Sequence, residues 1–292
     1  MKYYEVNFKI QPCSQDAQDI LAALAGEAGF ETFDETDEGV KGYVQQKHFD
    51  KSALDKSLQF FPIKGTHIIY EVAEAEDKDW NAQWEQEGFE PIIIEKGRMI
   101  IHDGRHLPDD LQRSMVEGQR SKLIEIDAHL AFGTGTHETT RMICSVFLGE
   151  PLKGKNLLDA GCGTGILGIA ALKLGAESVT AYDIDEWSAE NTRHNAVINQ
   201  VDNRLQPLCG DSSVLSGYGA EFDLVMANIN RNILLADMPR FVNVMAPHST
   251  LILSGFYETD CALLESKAQQ LGLRLTATKT DSNWACMVLN TP

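Results

Sequence analysis

The chain has 292 residues, 43% of them hydrophobic, which is enough for about two globular domains of roughly 150 residues each. Its formal net charge of −18 argues against a nucleic-acid substrate, because binding a phosphate backbone draws mainly on Lys and Arg. A basic protein is easier to accommodate as a partner than a nucleic acid. No run approaches the roughly 18 consecutive apolar residues of a membrane helix, and residues 1–10 lack a signal peptide's basic region and apolar block, so we expect a cytoplasmic protein without membrane contact.

Residues 1–73 are predicted to form a small ferredoxin-like α+β domain. Apolar residues at period two indicate strands, helical spacing indicates helices, and the acidic segment Asp34–Gly39 is predicted to be a turn. The predicted elements, in order, are strand Tyr4–Ile10, a helix opened by Ser14 and ended by Gly29, strands Phe30–Phe33 and Val40–Gln45, a helix capped by Asp50 and stopped by Pro62, and strand His67–Val72. This β-α-β-β-α-β order is ferredoxin-like. The fold carries no function of its own, so substrate recognition is a hypothesis from position alone.

Residues 74–90 are predicted to connect this domain to a second one. Eight acids against one Lys lie between Glu71 and Glu90. Trp80 and Trp84 are spaced four apart, as on one face of a short helix, and we expect both to pack against a domain surface.

The second domain is predicted over residues 91–292. Short strands at Ile92–Ile94 and Met99–His102 precede an irregular stretch, after which helices and strands alternate strictly from Glu138 to the end. That alternation is typical of a doubly wound, parallel sheet of the Rossmann-like α/β class.

The strongest chemical signal is the segment Asn156–Gly165, in which an apolar strand runs into Gly161, Gly163 and Gly165 before a helical run. Such a segment predicts a nucleotide site, because a Cβ would block the tight turn and the helix N-terminus offers unpaired N–H groups. Gly163, Gly165 and Gly168 also match G-x-G-x-x-G, so a dinucleotide stays open as the ligand.

Two carboxylates bear on the choice of ligand. Asp159 ends the first strand, where it can meet the cationic amino group of a methionine moiety but would face the phosphates of a dinucleotide. Asp183 ends the second strand, 22 residues after Gly161, where an acid can accept both ribose hydroxyls of an adenosyl group. Because a ribose acid fits both ligands, only Asp159 favours the methionine moiety. Asp185 is expected to cap the next helix.

Asn228 follows the fourth strand, Phe222–Ala227, at the edge where sheets of this class carry out chemistry. Its amide oxygen can accept a hydrogen bond from a neutral amine and aim the amine's lone pair at a methyl group. Asp211, after the third strand, is placed either to approach an adenine amino group or to form a plain turn, and both interpretations stay open.

These features resemble the class I methyltransferases, which use S-adenosylmethionine. The segment Ala131–Thr140, AFGTGTHETT, is similar to the signature of the bacterial family that methylates the eleventh protein of the large ribosomal subunit. The resemblance covers essentially the whole chain, including the small first domain and the Asp79–Trp84 connector. It implies a seven-stranded, mostly parallel sheet after a ferredoxin-like domain. It also implies methyl transfer to lysine side chains of that ribosomal protein, with the N-terminal α-amine as a second target.

The resemblance also implies the residues of the site. Carried over by motif position, the residues that contact S-adenosylmethionine are Thr140, Gly161, Asp183 and Asn228. Asp159 and Gly163 complete the predicted cofactor site, and Asn228 is also the predicted catalytic residue. His137 is expected to be structural.

The chain departs from the wider class of amine methyltransferases at one motif. Those enzymes carry Asn or Asp followed by two prolines and an aromatic residue, where this chain has Asn228-Ile-Asn-Arg231. Without the aromatic clamp the amine is held less tightly, which leaves room for repeated methylation of one nitrogen.

Other functions stay open. The alternative is methylation of another amine substrate, such as a small molecule or an RNA base, followed by an NAD-dependent oxidoreductase and a non-catalytic binding module. The six cysteines include no C-x-x-C pair and no His at metal-ligand spacing, so we expect reduced, mostly buried thiols and no metal site.

Overall fold

The computed structural model divides into two compact units, residues 1–80 and 81–292. The residues that the structure describes are 3–27, 29–30, 32–36, 38–46, 49–59, 61–63, 65–74, 88–107, 115–116, 119–127 and 138–292. The predicted connector at 74–90 lies largely outside these residues, and so do Trp80 and Trp84. The predicted domain limits and the packing of the two tryptophans therefore stay predictions.

The first unit has the predicted ferredoxin-like order of elements. They are β1 (Tyr3–Gln11), α1 (Gln15–Glu27), β2 (Thr32–Thr36), β3 (Gly39–Gln45), α2 (Lys51–Gln59) and β4 (His67–Glu74). The sheet order is β2-β3-β1-β4, and all neighbouring strands are antiparallel. Alternate residues of β1, Val6, Phe8 and Ile10, are buried in one cluster with Leu21 of α1 and Leu54 of α2. The period-two pattern of β1 therefore faces the two helices.

Both helices of this unit begin as predicted. The Ser14 hydroxyl accepts a hydrogen bond from the Ala17 N–H at 3.3 Å, and Asp50 Oδ1 accepts the Ser52 N–H at 2.9 Å. Each side chain satisfies a backbone donor that the first helical turn leaves unpaired.

The predicted acidic turn at Asp34–Gly39 is too long. Strand β2 runs on through the acids to Thr36, which pairs with Gly39 across a short turn. Asp34 lies directly opposite Lys41, and opposite charges on facing strands stabilise a pair. The acids are therefore compatible with the strand and do not end it.

The second unit contains the longer part of the chain. Its elements are β5 (Ile92–Ile94), β6 (Met99–His102), β7 (Met115–Val116), β8 (Gln119–Arg120), β9 (Lys122–Glu125), α3 (Glu138–Phe147), β10 (Asn156–Ala160), α4 (Ile166–Lys173), β11 (Ser178–Asp183), α5 (Glu186–Ile198), β12 (Leu205–Cys209), β13 (Phe222–Asn228), α6 (Arg231–Val244), β14 (Met245–Tyr257), α7 (Cys261–Gln270), β15 (Arg274–Asp281) and β16 (Trp284–Asn290). The predicted strands β5 and β6 are confirmed and pair antiparallel.

The main sheet has seven strands in the order β12-β11-β10-β13-β14-β16-β15. The first five are parallel, as predicted, and β16 runs antiparallel to both of its neighbours. One buried cluster combines strand residues with helices α3 and α4, and a second combines them with α6 and α7. This is a Rossmann-like, mostly parallel α/β fold.

The predicted strict alternation of helices and strands is wrong at the end of the chain. Strands β15 and β16 follow one another directly through Ser282 and Asn283, whose φ angles are +52° and +69°. Two consecutive left-handed residues form the tight hairpin turn that suits the twist of antiparallel strands. A two-residue turn leaves no room for a helix.

All six cysteines are free thiols, but only Cys144, Cys162 and Cys286 are buried. The expectation of mostly buried thiols is therefore wrong for Cys13 and Cys209, which are exposed because they lie where strands β1 and β12 end. Within the described residues, none of the helices is long and apolar enough to cross a membrane.

Candidate active site

Three predicted site residues meet at the carboxyl edge of the main sheet. Gly161 follows β10, Asp183 ends β11 and Asn228 ends β13. The three strands are parallel neighbours in which Ala160 lies opposite both Tyr182 and Ala227. Because parallel strands end together, the three residues lie side by side at the edge where such sheets bind ligands.

The glycine turn after β10 is held by backbone hydrogen bonds. The N–H groups of Gly161 and Cys162 both donate to the Tyr182 carbonyl, at 2.8 and 3.0 Å. The φ angles of Gly161, Gly163 and Gly165 are +74°, +53° and +79°, in the left-handed region that favours glycine. The turn therefore needs its glycines for backbone conformation, and it leads directly into helix α4.

Asp159 is buried beneath this turn, with 1% of its surface exposed. Its Oδ2 accepts the Gly168 N–H of helix α4 at 3.0 Å, while Oδ1 is buried and has no hydrogen-bond partner among the described residues. Burial raises the pKa of the Asp159 carboxyl, the Gly168 hydrogen bond lowers it and the Asp183 charge raises it, and together they set it at about 7. An unpartnered, buried carboxylate oxygen is suited to a cationic or N–H donor, because burying it alone is costly.

Asp183 organises the turn from the neighbouring strand. Its Oδ2 accepts the Gly163 N–H at 2.9 Å and its Oδ1 accepts the Asp185 N–H at 3.0 Å. Asp185 caps helix α5 by accepting the Ser188 N–H at 3.0 Å, so that prediction is confirmed. The contact of Asp183 with a ribose stays a prediction.

Asp211 has a local role in the structure. It is exposed and caps a short 3-10 turn, Ser212–Gly217, by accepting the Ser213 N–H at 2.8 Å. This geometry supports the turn interpretation, and the adenine contact stays a prediction.

The two asparagines after β13 have different positions. Asn230 caps helix α6, where its Oδ1 accepts the Ile233 N–H at 3.1 Å. Asn228 is half-buried at the end of the strand and has no part in that cap. Asn228 therefore lies at the sheet edge, on the strand next to the one that leads into the glycine turn.

Thr140 is buried in the first turn of helix α3. One turn later on the same face lies Cys144, whose pKa is raised to about 12 by burial and by the charge of Asp159. Cys144 belongs to the same buried cluster as Leu157 of the Asp159 strand β10. Most of the predicted signature, 131–137 with His137, lies outside the described residues.

The sequence predictions missed a ladder of three buried asparagines, two of them on helix α5 and the third, Asn199, at its C-cap. Asn195 accepts the Asp127 N–H at 2.9 Å and donates to the carbonyl of Thr164, in the glycine turn, at 2.9 Å. Asn191 donates to the Asp127 carbonyl, and Asn199 exchanges two hydrogen bonds with the backbone of Glu125. The spacing of four residues places all three on one helix face. Because Asn is a weak helix former, this repeat was the available signal.

Replacing Asn195 by Leu is expected to lower the free energy of unfolding by about 2 kcal/mol, since the buried Thr164 carbonyl and the partly buried Asp127 N–H each lose a hydrogen bond. Urea denaturation at unchanged slope measures this loss. The control is Val197→Ala on the same helix, whose exposed side chain should change stability by less than about 0.5 kcal/mol. Equal losses in the two variants would contradict the assigned role of the ladder.

Within the residues that the structure describes, no group of three or more His, Cys, Asp or Glu side chains is arranged to hold a metal ion. The polar groups of the site are carboxylates, amides and backbone N–H donors, which suit an organic ligand with cationic and hydroxyl groups.

Comparison with known proteins gives a consistent result. The family model for ribosomal protein L11 methyltransferases matches residues 12–292. A protein of that name from Phocaeicola vulgatus is 44% identical over 287 residues, which is 98% of this chain and 98% of that protein. Another from Porphyromonas gingivalis is 38% identical and covers 98% of this chain and 97% of that protein.

A solved structure supports the same relationship. The crystal structure of a ribosomal protein L11 methylase from Lactobacillus delbrueckii subsp. bulgaricus is 25% identical to this chain, with a TM-score of 0.61. It covers 70% of this chain and 100% of that chain.

Proposed function

This chain belongs to the family of ribosomal protein L11 methyltransferases, and on that premise we propose that it transfers methyl groups from S-adenosylmethionine to ribosomal protein L11. The acceptors are lysine side chains, with the N-terminal α-amine as a second target. The observation that carries the proposal is the meeting of Asp159, Asp183 and Asn228 around one glycine turn, in a chain related to the family over 98% of its length. The proposed compartment is the cytoplasm.

The donors and acceptors of the site fit S-adenosylmethionine. The buried, unpartnered Oδ1 of Asp159 suits the cationic amino group of the methionine part. Asp183, at the end of the second parallel strand, suits the ribose hydroxyls. The residues proposed to hold the cofactor are Thr140, Asp159, Gly161, Gly163, Asp183 and Asn228.

The bound cofactor would supply an activated methyl group on a sulfonium. The chain's own residues have to hold the acceptor amine close, aligned and away from water, which accounts for much of the catalysis of such transfers. We assign the alignment to the Asn228 amide, whose oxygen accepts a hydrogen bond from the neutral amine. A lysine ammonium, with a reference pKa of about 10.4, must first lose its proton. Desolvation in the site favours the neutral amine, and solvent takes the proton.

The role of residues 1–73 as the substrate-recognition domain is part of this proposal. The chain's net charge of −18 supports a basic protein as substrate over a phosphate backbone. No direct contact with nucleic acid or with a membrane is proposed.

A competition experiment tests the substrate. Unmethylated L11, free lysine and ribosomal RNA are incubated together with the enzyme and S-adenosylmethionine labelled in its methyl group. The proposal predicts that the label enters L11. Label in the RNA or the free amine would replace L11 by the alternative substrate class, while cofactor binding without any transfer would remove the assignment as an enzyme.

The affinity for S-adenosylmethionine is expected to rise about tenfold between pH 5.5 and pH 7. The pKa of Asp159 is about 7 without the cofactor, so the carboxyl is mostly protonated at pH 5.5 and must ionise to pair with an ammonium. The affinity is measured by isothermal titration calorimetry below the α-amino pKa of about 7.7–8.0. In that range the amino group of the cofactor stays protonated, so its titration does not contribute to the pH dependence. Asp159→Asn should bind with little pH dependence, and an equal slope in both proteins would contradict the pairing.

The same pKa predicts how the cofactor-free protein responds to pH. The folded-state value of about 7 lies above the unfolded value of about 3.9, so the contribution of Asp159 to stability is present below pH 4 and is lost as pH rises toward 7. The Asp159→Asn variant should not lose this stability between pH 4 and pH 7. Unfolding midpoints of both proteins across this pH range measure the difference.

A further inference from the structure

Ile229, the residue after Asn228, lies between two glycines that belong to different strand ends. A Cβ built on Gly161 would lie 2.3 Å from Ile229 Cγ2. A Cβ built on Gly255 would lie 2.6 Å from the Ile229 carbonyl oxygen and 2.8 Å from its nitrogen. Both glycines have positive φ angles, +74° and +91°. The close fit on both sides of Ile229 therefore depends on the absence of two side chains.

The backbone of Ile229 is also fixed to strand β14. Its N–H donates to the Ser254 carbonyl at 3.1 Å, and Asn228 lies opposite Ser254 in the ladder. On its other side, β14 shifts register against β16 between Ser254 and Phe256, as a bulge at Gly255 would produce. The turn that carries Asn228 is thus held by β14 through its backbone and touches the glycine turn through one side chain.

The hydrogen bond from the Ile229 N–H gives a physical reason for the missing proline at this position. Proline has no N–H and would lose the bond to Ser254. In this chain the residue after Asn228 therefore keeps its backbone bond to β14 and carries a branched side chain in place of a proline ring.

We propose that Ile229 is a positioning residue for methyl transfer: its Cγ2 methyl group, set against Gly161, fixes the Asn228 amide relative to the cofactor turn. The inference rests on the proposed function. Since a misplacement of about 1 Å can lower a rate by about 10²-fold, the position of this methyl group affects the rate of transfer.

Two substitutions separate this role from simple filling of space. Ile229→Val keeps the Cγ2 methyl group and removes one methyl group further out, whereas Ile229→Leu keeps the volume and removes the branch at Cβ. If Ile229 only fills space, Leu should be tolerated and Val should leave a small cavity. If it positions Asn228, the order is reversed.

The experiment measures kcat on L11, the dissociation constant of S-adenosylmethionine and the thermal unfolding midpoint of each variant. We expect Ile229→Leu to lower kcat about tenfold with cofactor affinity within about threefold, and Ile229→Val to keep kcat within about twofold. Unchanged kcat in the Leu variant, or a greater loss in the Val variant, would overturn the inference. If the Ile229→Leu variant does not fold, the Ile229→Val variant still tests the inference. A large loss of kcat in Ile229→Val would overturn the positioning role, and an unchanged kcat would support it. An inactive wild-type enzyme would instead remove the proposed function.

Discussion

Asn228→Ala is expected to lower kcat on L11 by about 10²–10³-fold, the loss typical of removing one preorganised hydrogen-bonding group from a transition state. Asn228 ends β13, the strand next to the one that leads into the glycine turn, and its neighbour Asn230, not Asn228, caps helix α6. We therefore assign the substrate to the Asn228 amide and the helix cap to Asn230. Because the amide is assigned to the amine and to the alignment of the reacting atoms, we expect the loss mainly in kcat. Steady-state kinetics with cofactor affinity measured separately gives both quantities.

Asn230→Ala is the matched control for this variant. It removes the same side chain two residues away, where the amide caps α6 through the Ile233 N–H, so the expected effect is a loss of about 1 kcal/mol of stability. Its kcat should stay within a few-fold of the wild type. If the two variants lose kcat equally, the effect comes from the shape of the turn and Asn228 has no special role.

Gly161→Ala is expected to weaken binding of S-adenosylmethionine by more than about 100-fold. An alanine at φ +74° is strained by about 1–2 kcal/mol, and its Cβ would lie 2.3 Å from Ile229 Cγ2. Relief of this overlap has to move the glycine turn that we assign to the cofactor. Direct titration with S-adenosylmethionine measures the loss.

Gly154→Ala separates strain from position. Gly154 has the same φ angle, +74°, and a Cβ there would have no atom within 4 Å. It lies in the turn before β10, so alanine there should lower stability with cofactor affinity unchanged within about threefold. A Gly161→Ala variant that binds the cofactor like the wild type would contradict the assignment of the glycine turn, and so would an equal loss in the Gly154 variant.

The local chemistry of single residues made much of the fold predictable. Ser14, Asp50 and Asp185 are short polar residues before helical patterns, and each caps the expected helix. The glycine-rich segment predicts a turn because its backbone needs positive φ, and Gly161 and Gly163 have such angles. Caps and glycine turns depend on residues within four positions of each other, so the sequence carries them directly.

Features that depend on distant segments were not predictable in the same way. The contact of Gly255 with Ile229 joins residues 26 apart, and nothing in either segment alone indicates it. The hairpin β15–β16 replaces the expected alternation because its turn residues adopt left-handed angles, a choice that the flanking strands help to decide. The burial of Asp159 and its bond to Gly168 likewise depend on how helix α4 packs over β10.

Mass spectrometry of L11 tests the central claim most directly. Purified, unmethylated L11 is incubated with S-adenosylmethionine and either the wild-type protein or the Asn228→Ala variant. The L11 is then digested so that modified residues can be located. We expect mass increments of whole methyl groups on lysines or the N-terminus with the wild type, and far fewer with the variant. Unmodified L11 after incubation with a wild-type protein that binds the cofactor would contradict the claim.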